Sequence, residues 1–150
     1  MIVQVDQSIK VEQTNADTAL AFSDGIQFSI LIPAKVKREV IAHLRTKGKY
    51  TKRLYLWLFV LALYHLLKSD LNRINVIVID SEYTGRDEDI RALLLQLFRR
   101  QAGRAPAIAF QQISRKSNAH KTAIAVIRGD ARPNRILTAS EFLEPLTARK

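Results

Sequence analysis

Apolar and polar side chains alternate over the first part of the chain and predict three strands. Residues 2–13, IVQVDQSIKVEQ, follow the period of two expected of a strand. Residues 18–23 and 26–32 form two further runs, and Asp24-Gly25 between them favours a tight hairpin turn. Pro33 ends the third run because it has no backbone N–H for the ladder. The chain therefore opens with an antiparallel meander.

The rest of the chain alternates predicted helices and strands. Apolar residues at helical spacing indicate helices, and the continuous β-branched run NVIVID is typical of a strand buried on both faces. In chain order, the elements are helix 34–45, helix 51–68, strand 75–80, helix 87–100, strand 106–113, helix 118–127 and a short helix opened by a capping box at 138–141. This order predicts an α/β fold with a five-stranded mixed sheet, in which the three-strand meander is joined by two parallel strands and helices cover both faces.

Length and composition restrict the class of protein. A chain of 150 residues suits one domain over residues 1–150. The absence of Cys excludes disulfides and thiolate metal sites, and favours a reducing, cytoplasmic compartment. The apolar segment 54–67 contains His65 and is shorter than the roughly 18 to 20 residues that span a bilayer, so we expect a core helix and no membrane. We also expect Tyr55 and Trp57 to be core aromatics and His65 to be a satisfied, partly buried histidine.

The charge balance makes a polyanion the leading partner. Lys and Arg number 24 against 14 Asp and Glu, giving a formal net charge of +10. The cations gather in two zones, residues 35–53 and 91–128, of which the second contains no acid. We therefore predict nucleic acid, DNA or RNA, as the partner, although charge alone leaves open a membrane surface, an acidic protein and a homo-oligomeric state.

Two basic segments are the candidate nucleic-acid contacts. The loop near residue 50 carries four cations, and Tyr50 there is placed to stack on a base. The segment 114–121 combines cations, Ser and Asn just before a helix N-terminus, a composition that grips phosphate. A solvated loop is the alternative for both segments. The candidate contacts are Lys47, Lys49, Lys52, Arg53, Arg115, Lys116, Asn118 and Lys121.

Acidic residues fall at the ends of two predicted neighbouring strands. Asp6 lies among apolar residues of the first strand, and Asp80 directly follows the buried run of the fourth. Side chains at such strand ends often form ligand sites, although Asp6 could face solvent and Asp80 could cap the following turn. Glu82 would add a third carboxylate if the loop after the fourth strand folds back, and is otherwise a solvated loop acid.

The element order and these residues together resemble the ribonuclease H-like superfamily, over roughly residues 2–127. That superfamily carries an Asp in the first strand, a second Asp at the end of the fourth, and a third site residue, Asp or sometimes His, at the start of the helix after the fifth. The corresponding stretches here are Val5-Asp6-Gln7-Ser8, Ile79-Asp80-Ser81-Glu82-Tyr83 and Asn118-Ala119-His120-Lys121.

The resemblance implies phosphodiester hydrolysis with Mg²⁺ or Mn²⁺. Asp6, Asp80 and His120 would be catalytic, and Asp6, Asp80, Glu82 and His120 would be the metal ligands. The sequence departs from the family at Tyr55, which stands where the family's helix commonly supplies a Glu. The expected function is a divergent ribonuclease H-like nucleic-acid-processing protein that hydrolyses phosphodiesters. The alternative is a catalytically inactive basic module on the same scaffold that binds nucleic acid or protein.

Overall fold

A computed structural model describes residues 1–23, 26–83 and 85–147 and contains a single mixed sheet. Its strands are β1 (Ile2–Ser8), β2 (Thr18–Ser23), β3 (Phe28–Ile32), β4 (Val76–Asp80), β5 (Ala107–Gln111) and β6 (Arg135–Ile136). The strand order across the sheet is β5-β4-β1-β2-β3-β6. β1, β2 and β3 form the antiparallel meander, whereas β4 pairs with β1, β5 with β4, and β6 with β3, all in parallel. The hairpin turn predicted at Asp24-Gly25 lies outside the described residues.

Five helices flank the sheet in the described part of the chain. They are α1 (Ala34–Lys47), α2 (Leu54–Leu67), α3 (Asp87–Ala102), α4 (Asn118–Arg128) and α5 (Ala139–Thr147), with short 3-10 turns at Thr51–Arg53 and Lys68–Arg73 on either side of α2. α4 packs on β1, β2 and β3, while α1, α3 and α5 gather around α2 on the other face. The predicted α/β architecture with a mixed sheet is therefore confirmed.

The prediction of five strands is wrong, because β6 adds a sixth at the outer edge of β3. β6 has two residues, too few for any periodicity to be read from the sequence. It is held beside β3 by Asn134, whose side-chain Oδ1 accepts a hydrogen bond from the Ser29 backbone N–H at 2.8 Å and whose own N–H donates to the Ser29 carbonyl. Tertiary contacts rather than local pattern create this strand.

The first strand is also shorter than predicted. β1 ends at Ser8 because Ile9 has a φ of +63°, a left-handed conformation that breaks the ladder and that β-branched residues rarely adopt. The alternation continues to residue 13 in the sequence because Val11, outside the strand, is still fully buried in the core. The segment between β1 and β2 is therefore a loop that folds back over the sheet end.

α2 is the centre of the main core. Twelve of its residues are buried, so it is apolar on every side. The helical stretch Thr51–Arg73 has the length and composition of a membrane span, but 67% of its most apolar window is buried inside the fold. His65 is 1% exposed, and its Nε2 lies 3.0 Å from the Phe142 carbonyl oxygen, which confirms a satisfied histidine.

Two side chains near this core differ from expectation. Tyr55 was predicted to be buried but is 41% exposed, because it lies on the first turn of α2 beyond the edge of the core. Lys37 is fully buried on α1, and its Nζ donates to the Gln13 carbonyl at 2.6 Å and to Thr18 Oγ1 at 2.8 Å. Burial lowers the pKa of Lys37 to about 8. The Lys37 amine thus bonds both to the loop between β1 and β2 and to the first residue of β2.

Candidate functional site

Asp6 and Asp80 lie next to each other at the carboxyl ends of adjacent parallel strands. The register pairs Val5 with Ile79, and the two acids each follow by one residue. Because Val5 and Ile79 face the core around α2, the residues after them face α4. Asp6 is 5% exposed, and its Oδ1 accepts a hydrogen bond from the Gln7 backbone N–H at 2.9 Å. The strand pairing alone therefore brings the two predicted acids together.

Glu82 joins these two carboxylates. One carboxylate oxygen from each of Asp6, Asp80 and Glu82 lies within 4.8 Å of the others. The loop after β4 thus folds back, as the metal hypothesis required. The Ile113 backbone N–H donates to Asp80 Oδ1 at 2.7 Å and fixes that side chain, while its second oxygen is not used in this bond.

His120 approaches the cluster from α4. Ser117 caps that helix, and its Oγ accepts a hydrogen bond from the His120 backbone N–H at 3.1 Å. The cap places His120 on the first turn, where its Nδ1 lies 2.7 Å from Asp6 Oδ2. His120 therefore contacts one carboxylate of the cluster through Nδ1, and Nε2 is not used in this contact.

These four side chains line a cleft of about 260 Å³. Its other walls are Gln7, Ser81, Gln112, Ile113 and Arg115. The Gln7 side-chain oxygen Oε1 is buried and has no hydrogen-bond partner among the described residues. A buried carbonyl oxygen without a donor is unfavourable, so a cation in the cleft would satisfy it as well as the carboxylates.

The electrostatics of the cleft disfavour the ionised forms of Asp6 and Glu82. Burial raises the pKa of Asp6, the hydrogen bond to His120 opposes that rise, and the charge of Asp80 adds to it. Burial and the Asp6 carboxylate raise the pKa of Glu82 to about 7. Like charges held this close disfavour ionisation, and a divalent cation would reverse that preference. The three carboxylates form the oxygen-rich donor set that Mg²⁺ and Mn²⁺ prefer, so the residues fit such an ion.

Tyr55, at which the resemblance predicts a departure from the family's Glu, is not among the described residues that line the cleft, and α2 contributes none of them. Glu82, only two residues after Asp80, is the third carboxylate instead. The third acid of the cluster therefore lies on the loop after β4 and not on α2.

The basic candidates divide between two places. Arg115 lines the acidic cleft, and Lys116, Asn118 and Lys121 are exposed around the start of α4. This placement leaves all four accessible to a phosphate backbone approaching the cleft.

The second basic zone lies between α1 and α2, where Lys47, Lys49, Lys52 and Arg53 are exposed. Lys52 and Arg53 line a separate depression of about 510 Å³. Base stacking by Tyr50 was predicted wrongly, because that ring is 8% exposed and packs edge-to-face on Trp57 with ring centres 5.2 Å apart.

A hydrogen-bonded chain that the sequence did not reveal connects the cleft to that depression. Gln7 Nε2 donates to the Tyr83 hydroxyl at 3.0 Å, and the hydroxyl donates to Glu12 Oε1 at 2.9 Å. Gln7 lines the cleft, whereas Tyr83 and Glu12 line the depression. In the sequence, Gln7 directly follows Asp6 and Tyr83 lies three residues after Asp80. This closeness does not show that Gln7 bonds to Tyr83, or that Tyr83 bonds to Glu12.

The geometry of sheet, helices and carboxylates defines an α/β protein with an acidic cleft at the ends of two parallel strands. Comparison of the chain with protein-family models, with curated proteins and with solved structures finds no match.

Proposed function

We propose that this chain is a divalent-metal-dependent phosphodiester hydrolase that acts on nucleic acid, on a divergent ribonuclease H-like scaffold. The observation that carries the proposal is the convergence of Asp6, Asp80 and Glu82, with carboxylate oxygens within 4.8 Å of one another at adjacent strand ends. The formal charge of +10 supports a polyanionic substrate.

The roles of the residues follow from their positions. Asp6, Asp80 and Glu82 would hold Mg²⁺ or Mn²⁺, and Gln7, whose Oε1 has no partner among the described residues, lines the same cleft. A bound divalent ion supplies a hydroxide at neutral pH and stabilises negative charge on the leaving oxygen. His120 holds Asp6 through the contact between Nδ1 and Oδ2, and its imidazole would act as the proton carrier of the reaction.

Residues at the edge of the same cleft would position the phosphate. Arg115 lines it, and Asn118 and Lys121 stand at the start of α4, where the positive end of the helix dipole also attracts phosphate. These groups would orient a phosphodiester against the carboxylates without reading its base sequence.

A second candidate is a nucleic-acid-binding module without catalysis. The specific observation in its favour is Tyr55, which stands where the resemblance implies a helix Glu and does not line the cleft. Such a module would bind nucleic acid with a steep salt dependence and would cleave nothing.

The first test is calorimetric titration of the wild type and of Asp80→Asn with Mn²⁺ and then with Mg²⁺. Asn retains the oxygen that accepts from the Ile113 N–H, so the loop is preserved while a charged ligand is lost. Asp130→Asn is the matched control, because Asp130 is exposed just beyond α4. We expect saturable binding in the wild type and the control, and loss in Asp80→Asn. Binding that survives in Asp80→Asn would refute the metal site.

The second test incubates the same three proteins with single-stranded and structured DNA and RNA, with and without metal. Metal-stimulated cleavage by the wild type and Asp130→Asn, absent in Asp80→Asn, is the expected result. An unchanged circular-dichroism spectrum and urea midpoint of Asp80→Asn would show that the variant is folded. Binding without cleavage in every protein would favour the non-catalytic module.

A further inference from the structure

The depression beyond Tyr83 continues into a second one. The first, of about 510 Å³, and the second, of about 330 Å³, share Arg45 and Tyr55 as lining residues. We call the two together the tyrosine groove. Its walls come from α1, the start of α2 and the loops that follow β1 and β4.

The charge of the tyrosine groove is strongly positive. Five of its lining residues are cations, namely Arg38, Arg45, Lys52, Arg53 and Arg86. The one acid, Glu12, accepts the Tyr83 hydroxyl, and that contact holds it against the wall nearest the cleft. The first turn of α2 adds the positive end of a helix whose N-terminus has no side-chain cap. The groove therefore attracts a chain of negative charges.

Tyr55 gives the tyrosine groove an aromatic surface. Its side chain is 41% exposed, and it belongs to both depressions. The ring of Tyr83 is in contact with Phe59, at 5.0 Å between ring centres, and with the Lys10 amine, at 5.5 Å from the ring centre. Tyr83 thus forms a wall, and Tyr55 is the ring with a face open for stacking.

We propose that the tyrosine groove binds single-stranded nucleic acid and leads it into the acidic cleft, with an unpaired base stacked on Tyr55. This proposal rests on the proposed function for its choice of nucleic acid as partner. An exposed ring among cations is the combination by which proteins hold single strands, since any unpaired base offers a face for stacking. Each depression has the volume of a small-molecule site, which suits individual nucleotides and not a duplex.

The Gln7–Tyr83 hydrogen bond forms the junction between groove and cleft. Gln7 belongs to the cleft and Tyr83 to the groove, and 3.0 Å separates Gln7 Nε2 from the Tyr83 hydroxyl oxygen. A nucleic-acid strand lying in the groove therefore reaches the carboxylates once it has passed the Gln7–Tyr83 pair. The substrate class that follows is a single strand, or a structured nucleic acid with a single-stranded arm.

The test measures fluorescence anisotropy of labelled oligothymidylate in EDTA, so that no cleavage intervenes. Tyr55→Ala should weaken binding about tenfold through loss of stacking, whereas Tyr55→Phe should bind as the wild type does. Arg45→Gln should weaken binding and make the salt dependence shallower by about 0.7 in slope. Arg99→Gln is the matched control, because Arg99 is exposed on α3 and lines neither depression, and it should leave the affinity unchanged.

A blunt-ended duplex of two fully complementary strands serves as the second probe, and Tyr55→Ala should leave its affinity unchanged because paired bases are not available for stacking. Unchanged binding of oligothymidylate by Tyr55→Ala, or an equal loss on the duplex, would overturn the groove. Single-strand binding through Tyr55 without metal-dependent cleavage would keep the groove and overturn the hydrolase. Metal-dependent cleavage, together with oligothymidylate binding that neither Tyr55→Ala nor Arg45→Gln changes, would keep the hydrolase and overturn the groove.

Discussion

Replacing Glu82 by Gln should stabilise the protein at alkaline pH, because the acidic cleft disfavours the ionised carboxylate. Burial, and then the charge of Asp6, raise the pKa of Glu82 from its ordinary value of 4.5 to about 7. The folded protein thus retains a proton where the unfolded chain has lost it. The stability contributed by this group is complete below about pH 4.5, falls as the pH rises to about 7, and stays reduced above it.

The size of the effect follows from that pKa. A change from 4.5 to about 7 corresponds to about 3 kcal/mol against the ionised form. Glu82 is only partly buried, so solvent screening reduces this to about 1–2 kcal/mol. Because Gln imitates the protonated acid, Glu82→Gln should be more stable than the wild type by about 1–2 kcal/mol at pH 8. The difference should be much smaller at pH 5 and disappear below about pH 4.5, where the unfolded chain holds the proton as well as the folded protein.

The assay is urea unfolding followed by the fluorescence of Trp57, the only tryptophan, at pH 5 and pH 8. Glu39→Gln is the control, since Glu39 is an exposed acid on α1, and it should change the stability little at either pH. Added Mn²⁺ should stabilise the wild type and stabilise Glu82→Gln less. A Glu82→Gln protein that is equally or less stable than the wild type at both pH values would refute the reasoning.

Three further changes test the surroundings of the site and the core. Replacing His120 with Ala removes the partner of a buried carboxylate oxygen, and should lower the free energy of unfolding at pH 7 by about 1–3 kcal/mol in urea titrations; no loss would argue against the contact with Asp6. Burial lowers the pKa of His65 to about 4, so its contribution to stability is complete above about pH 6.5 and falls as the pH drops towards 4; His65→Gln should flatten this acid dependence in thermal melts, and an unchanged slope would contradict the assignment. Thr138→Ala breaks the capping box, in which Thr138 Oγ1 accepts from the Glu141 N–H at 3.1 Å, and should cost about 1 kcal/mol, whereas the neighbouring Ser140→Ala should cost less.

The elements that the sequence predicted well are those whose local pattern and tertiary packing agree. The four residues 76–79 are apolar without interruption because β4 lies inside the sheet between β1 and β5. The α5 capping box formed as its residues predict, with Glu141 Oε1 accepting the Thr138 N–H at 3.0 Å. Asp6 and Asp80 were identifiable because strand ends at neighbouring positions follow from topology alone.

The features that the sequence did not predict depend on contacts between distant segments. A lysine on an amphipathic helix normally faces water, and Lys37 is buried only because Gln13 and Thr18 supply two acceptors. Tyr55 lies in an apolar run, and nothing local shows that the first turn of α2 projects beyond the core. The two-residue β6 depends on Asn134 meeting Ser29 across 105 positions of the chain.

The position of the third carboxylate changes what holds the cleft together. A Glu on a long core helix would be fixed by that helix, whereas Glu82 lies in a loop and depends on its neighbours. Tyr83, the next residue, packs on Phe59 and bonds to both Gln7 and Glu12, so its ring and hydroxyl fix the backbone that carries Glu82. The same side chain also forms the wall of the tyrosine groove. A nucleic-acid strand bound in the groove as proposed would press on this wall and so act on the loop that positions Glu82. The proposed strand binding and the proposed metal binding should therefore be coupled.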